Sequence, residues 1–139
     1  MDYLVKVENI SKNFKIKSNK LFKPKKILKA VNDVSFFIKP NESLGLVGES
    51  GCGKSTLARL ILALLTATAG KILFNGEDIT KFGYKKLKDL RKNMQIVFQD
   101  PYSSLNPRKT TLDIVAAPLK THFRLSKSDI EKKVKISYE

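Results

Sequence analysis

The chain has 139 residues and carries 27 lysines and arginines against 13 aspartates and glutamates, a formal net charge of +14. That length holds one domain at most, and a hydrophobic content of 42% leaves room for a core. A lone cysteine, Cys52, excludes an internal disulfide framework, and the longest apolar stretch, residues 60–65 behind Arg59, is far short of the roughly 20 residues that cross a bilayer.

The start, Met1-Asp2-Tyr3, lacks the basic-then-apolar pattern of a signal peptide. Residues 4–8 alternate at period two, as a half-buried strand does, and residues 13–17 read as a second strand. Residues 17–29 carry lysines at 17, 20, 23, 25, 26 and 29, with Asn19 and Pro24 breaking any regular pattern. They read as an exposed loop between two edge strands, whose charge would also suit anionic lipid headgroups. Residues 31–38 predict a third strand, Pro40-Asn41-Glu42 a turn, and residues 43–47 a buried strand. A helix rich in Leu, Ile and Ala is predicted over 57–65. Residues 70–76 read as a strand closing in an Asn-Gly turn. A lysine-rich helix over 84–93 turns Leu87 and Leu90 inward, and residues 94–98 form a second buried strand. A short helix over 113–121 is interrupted by Pro118. Ser126-Lys127-Ser128-Asp129 forms a capping box that opens a final helix.

Between the strand at 43–47 and the helix at 57–65 lies Gly48-Glu49-Ser50-Gly51-Cys52-Gly53-Lys54-Ser55-Thr56. It fits the phosphate-binding pattern G-x-x-x-x-G-K-[ST] at every fixed position, in the strand–loop–helix context that the pattern requires. The glycines let the backbone curl and turn its N–H groups inward, where they join the positive end of the following helix as an anion cradle. Lys54 is expected to reach the β- and γ-phosphates, and the Ser55 hydroxyl to ligate Mg²⁺. Cys52 is expected to be a small filler of the loop.

The charge could suggest nucleic acid. Only four of the 27 basic residues are arginines, however: Arg59, Arg91, Arg108 and Arg124. They are scattered and not gathered with aromatics, so the excess is read as solvated lysine faces and no nucleic-acid partner is expected.

The strand at 94–98 ends in Gln99-Asp100-Pro101-Tyr102-Ser103-Ser104-Leu105-Asn106-Pro107-Arg108. With the phosphate loop, this segment resembles the ATP-binding subunit of an ABC transporter, most of all the dipeptide and oligopeptide import branch, which includes nickel importers. The resemblance runs from about Val5 to about Ile130. It implies an α/β fold, a P-loop NTPase-type core with an antiparallel β subdomain, and ATP with Mg²⁺ as the bound cofactors. Gln99 matches the Q-loop glutamine that ligates Mg²⁺ or its water. Phe14 matches the aromatic that stacks on adenine. Residues 100–105 resemble the part that faces integral membrane permease subunits. ATP would close this subunit on a second one at the cytoplasmic face of the membrane, and the peptide cargo would never touch the chain.

The family continues with a Leu-Ser-Gly-Gly-Gln signature, an apolar strand ending in Asp-Glu and a switch histidine. None of the three is found here, and His122 stands too early to be the last. Residues 1–139 are therefore expected to be the N-terminal portion of such a domain, with no catalytic residue of their own. Glu49 lies within the loop and Asp100 follows Gln99, and neither is placed as a base. The alternative is a non-catalytic nucleotide-binding fragment without independent transport function. A kinase has no need of the segment from Gln99 to Arg108.

Overall fold

Alternation at period two starts at Val5 and does not stop at Glu8. In the computed structural model, which describes residues 3–16, 26–100 and 104–136, β1 runs unbroken over Val5–Ile16 and pairs antiparallel with β2, Lys26–Ile38. The two strands predicted at 4–8 and 13–17 are thus one. Asn9, Ser11 and Asn13 look like breakers in the sequence, but they serve the ladder. The register shifts between Val7 and Ile10, Ile10 and Lys12, and Lys12 and Asn13, and polar side chains fill the gaps. Asn9 N–H donates to Ser35 Oγ (2.8 Å), Asn9 Nδ2 to Asp33 Oδ1 (2.9 Å) and Asp33 N–H to Ser11 Oγ (2.9 Å). A bulged strand keeps its backbone satisfied in this way.

The lysine-rich loop is also shorter than predicted. Lys26 to Lys29 belong to β2, where Ile27 and Leu28 face Lys15 and Phe14 in register. Residues 17–25 lie outside the described residues.

On the other side of β1 lies β3, Ala69–Phe74, with Val5 opposite Phe74 and Ser11 opposite Ala69. Asn75 and Gly76, both at positive φ, make the two-residue turn into β4, Glu77–Asp78, as an Asn-Gly pair predicts. The sheet order is β2-β1-β3-β4, all antiparallel. Its buried residues include Val5, Val7, Ile10, Val31, Ile72 and Phe74; Leu57 and Leu60 of α1, Lys54–Ile61, are buried too. The helix ends before the predicted Leu65 because Ala63 turns left-handed, with φ 50°. Gly70, at φ 87°, lies against the β1 bulge, and a Cβ there would come within 2.4 Å of Asn9 O and 2.5 Å of Glu8 O.

Two strand expectations fail. Residues 43–47 and 94–98 have no strand neighbour among the described residues. Leu44, Leu46, Val47, Ile96, Val97 and Phe98 are exposed, Val47 at 91% and Val97 at 90%. An apolar run becomes a strand only by pairing, and pairing is not a local property.

The chain divides into two compact units, residues 1–87 and 88–139; α2, Tyr84–Leu90, crosses the division, with Leu87 and Leu90 half-buried. In the second unit α3, Thr111–His122, continues through Pro118, and α4, Lys127–Ile136, follows. Ala116, Ile130 and Val134 form its core, flanked by Val115, Leu119 and Leu125. Ser126 Oγ accepts from Asp129 N–H (3.2 Å) as the predicted cap. Thr110 does the same for α3, accepting from Asp113 N–H (3.2 Å) and donating to Asp113 Oδ2 (2.9 Å). The Lys120 ammonium (3.0 Å) and the Thr110 hydroxyl hold the Asp113 carboxyl below its ordinary value.

Three outcomes follow from this packing. Gly70→Ala should cost about 2 kcal/mol or more by urea titration, through strain at positive φ and overlap with β1. Thr110→Ala should cost about 1 kcal/mol, the usual value of a lost N-cap. Because the Asp113 pKa is depressed by folding, its contribution is present above the ordinary carboxylate range and is lost as the pH falls through the folded value. Asp113→Asn should therefore destabilise near pH 7 and progressively less in acid, read from thermal midpoints across pH.

Candidate functional site

The phosphate-binding pattern begins after the Pro40–Asn41 turn and the exposed residues 43–47. The loop from Gly48 ends at Gly53, which is the N-cap of α1 with φ 103° and carries no capping side chain. The first turn of α1 has no acidic residue. Its backbone N–H groups and the positive end of the helix are therefore left for an anion.

Lys54 arches back over this loop. Its ammonium donates to Gly48 O at 2.7 Å and Glu49 O at 2.6 Å, and lies 3.6 Å from Cys52 Sγ. The Cys52 thiol is exposed and sits 2.9 Å from where a Gly48 Cβ would be, so it fills the inside of the bend. Glu49, Ser50 and Gly51 are exposed, as is Ser55, while Thr56 is half-buried.

The loop rests on the sheet. A Cβ on Gly53 would lie 2.2 Å from Ala30 O of β2 and 3.8 Å from Val31 Cγ2. Between β2 and the loop is a cavity of about 420 Å³, with Lys29, Ala30 and Val31 on one wall and Cys52, Gly53 and Lys54 on the other. Phe14 pairs with Leu28, the residue next to Lys29 in β2. Phe14 is 36% exposed. The structure thus brings Gly48–Thr56 together with β2 and sets Phe14 one strand away. Gln99 is exposed at the end of the 94–98 segment in the second unit. Pro101, Tyr102 and Ser103 lie outside the described residues.

Sequence reasoning missed Lys12 and Lys29, two lysines among 23. Lys29 lines the cavity. The Lys12 ammonium lies 5.2 Å from the centroid of the Phe14 ring. The available signal was position alone: each lies within two residues of Phe14 or its ladder partner. His122 is half-buried, with Nδ1 enclosed and without a partner in the structure.

Among the described residues no group of three or more His, Cys, Asp or Glu side chains could hold a metal ion. A magnesium ion here would rest on the Ser55 hydroxyl and on oxygens brought by phosphate, which matches how this hard cation is bound beside nucleotides. No helix of the described residues is long and apolar enough to cross a membrane.

Comparison with known proteins gives the site its setting. The family model described as ABC transporter matches residues 31–137. The oligopeptide transport ATP-binding protein OppF of Haemophilus influenzae is 46% identical over 136 residues, covering 96% of this chain and 41% of its own. The oligopeptide transport ATP-binding protein AppF of Bacillus subtilis is 48% identical over 120 residues, covering 86% of this chain and 36% of its own. The chain therefore spans about two fifths of the length of these relatives. Among solved structures, a dimeric ATP-binding cassette in a post-hydrolysis state with ADP and Pi is similar at a TM-score of 0.74 and 29% identity, over 92% of this chain and 53% of that one.

The close approach of Gly53 to β2 makes a sharp prediction. Gly53→Ala should cost at least about 2 kcal/mol in a urea titration, because the overlap is with backbone and the residue is held at positive φ. A thermal midpoint unchanged from wild type would show that the loop does not rest on Ala30 O.

Proposed function

The chain belongs to the ABC transporter family, and on that premise we propose that residues 1–139 are part of a nucleotide-binding domain that takes Mg-ATP to drive peptide import. The observation that carries the reading is the Lys54 ammonium held over an uncapped helix N-terminus, with Gly53 seated on β2. Two of its three donors rest on neutral carbonyls. A phosphate oxygen is a stronger, charge-assisted acceptor, so a nucleotide can take those bonds over.

In this reading the residues Gly48, Glu49, Ser50, Gly51, Cys52, Gly53, Lys54, Ser55 and Thr56 hold the phosphates, mainly through backbone N–H groups. Beside the phosphate oxygens, Ser55 and Gln99 would ligate Mg²⁺, which would supply charge neutralisation. Phe14 offers adenine a flat apolar face. Hydrolysis needs a carboxylate that orients water and donors from a second subunit. Neither Glu49 nor Asp100 is assigned that role. The resemblance to oligopeptide transport proteins supports peptide cargo, a second ATP-binding subunit, membrane permease partners and a place at the cytoplasmic face. The dimeric cassette structure supports the pairing of subunits.

Lys54→Ala should abolish measurable Mg-ATP binding by calorimetry while the circular dichroism of the chain is retained. Unchanged affinity would overturn the assignment. Phe14→Ala should weaken ATP by about 1–3 kcal/mol, the usual range for a base stacked on an aromatic ring, and should spare inorganic triphosphate. Equal losses for both ligands would remove Phe14 from the site.

A further inference from the structure

Phe14 stands on β1 with its ring partly exposed, yet one face of that ring is taken. The Lys12 ammonium lies 5.2 Å from the ring centroid, within the reach of a cation–π contact. The same nitrogen donates to the Thr66 carbonyl at 2.6 Å. Thr66 lies between α1 and β3, in a segment that is itself fixed on β1. Thr68 N–H donates to Ser11 O (2.8 Å) and Asn13 N–H donates to Thr68 Oγ1 (3.0 Å). The ammonium is therefore anchored at one end to the segment that follows the phosphate-loop helix and at the other to the ring.

We infer that Lys12 is a positioning residue for base recognition: it clamps one face of Phe14 so that the ring offers its other face to adenine. The inference rests on the reading of Phe14 as the base platform. A ring on an outer stretch of strand can turn about its side-chain bonds, and a base that stacks on it must immobilise it first. A clamp already in place removes that part of the binding penalty. Phe14 keeps 36% of its surface exposed, so with the ammonium on one face the base is expected on the other, and its orientation would follow from the position of Lys12. Because the ammonium acts through the ring, its effect is confined to ligands that carry a base.

The test compares Mg-ATP with magnesium tripolyphosphate on the full chain, by calorimetry, and follows the fluorescence of 1,N6-ethenoadenosine triphosphate, which is quenched when its base stacks. Lys12→Gln keeps an amide that can donate to the Thr66 carbonyl but removes the charge over the ring. Lys12→Met removes both. Either should weaken ATP roughly two- to fivefold, the range expected for a partly exposed cation–π contact, reduce the quenching and leave tripolyphosphate binding unchanged. Lys12→Arg should restore ATP affinity. In a Phe14→Ala background, Lys12→Gln should have no further effect. Equal losses for ATP and tripolyphosphate would mean that Lys12 touches phosphate or only supports the fold, and would overturn the inference, as would no loss at all. If Phe14→Ala itself fails to separate the two ligands, the base-platform reading falls. If it separates them while Lys12→Gln does not, the inference alone falls. Should Lys12→Met fail to fold, Lys12→Gln and Lys12→Arg carry the comparison.

Discussion

The contact between Gly53 and the Ala30 carbonyl is the constraint on which the rest of the site depends. It seats the N-terminus of α1 on β2, the outer strand of the sheet β2-β1-β3-β4. A side chain at position 53 would push the loop off that strand. With hydrogen there, the helix dipole and the arched Lys54 are held at a fixed place along β2. Ala30 is two residues from Leu28, and Leu28 faces Phe14 across the ladder. Two residues of strand and one strand spacing amount to about 7 Å and about 5 Å, which places an aromatic face within reach of a ligand whose phosphates lie on the loop. The site is thus built from backbone contacts between a helix start and a strand edge, and side chains complete it.

The same sheet shows why β1 can be long. Twelve residues in one strand would carry an unrelieved twist and leave mismatched ladder bonds against two neighbours of different register. Asn9 at φ 47° and Asp33 at φ 53° take up the mismatch, and Ser11 and Ser35 accept the freed N–H groups. Gly70 then fits against the bulge where no Cβ could. The irregular stretch runs from Val7 to Asn13, with Ile10 buried inside it, and separates the buried Val5 and Val7 from the exposed Phe14 and Ile16. It lets one strand be core at one end and exposed at the other, where Phe14 stands.

What the sequence revealed was whatever depends on neighbours in the chain. The phosphate loop is a contiguous pattern whose backbone and chemistry are both local, and Gly48 to Thr56 could be named from it. The Asn75-Gly76 turn and the Ser126 cap are local for the same reason. The Thr110 cap has the same Thr-x-x-Asp form but was hidden, because the helix was expected to start at Asp113 and not at Thr111. Strands are different. Residues 43–47 and 94–98 have the composition of buried strands, and composition does not say what pairs with them. In β1 the polar residues Asn9, Ser11 and Asn13 read as a break, because their partners lie far along the chain: Asp33 and Ser35 are 24 and 26 positions from Asn9, Asp33 is 22 from Ser11 and Thr68 is 55 from Asn13. Lys12 was hidden by abundance: in a chain with so many lysines, only its distance from one ring and one carbonyl distinguishes it.

The lysine excess also shapes how recognition must work. A net charge of +14 draws any polyanion toward the surface, at rates and affinities that fall with salt. Attraction of this kind does not tell ATP from tripolyphosphate. The loop adds geometry, because backbone N–H groups and one arched ammonium accept only an anion that fits the bend, but it too sees only phosphate. Discrimination has to come from the other end of the ligand, where charge is of little help and a flat apolar surface is needed. In the proposed reading Phe14 would supply that surface, and Lys12, 5.2 Å from the ring centroid and bonded to the Thr66 carbonyl, would orient it. A cation is suited to this position because its partner is the face of a ring and a neutral carbonyl, both of which it can satisfy at once. On that reading the general positive charge of the chain and this one placed charge would do separate work: the first would gather anions, and the second would fix the surface offered to a base.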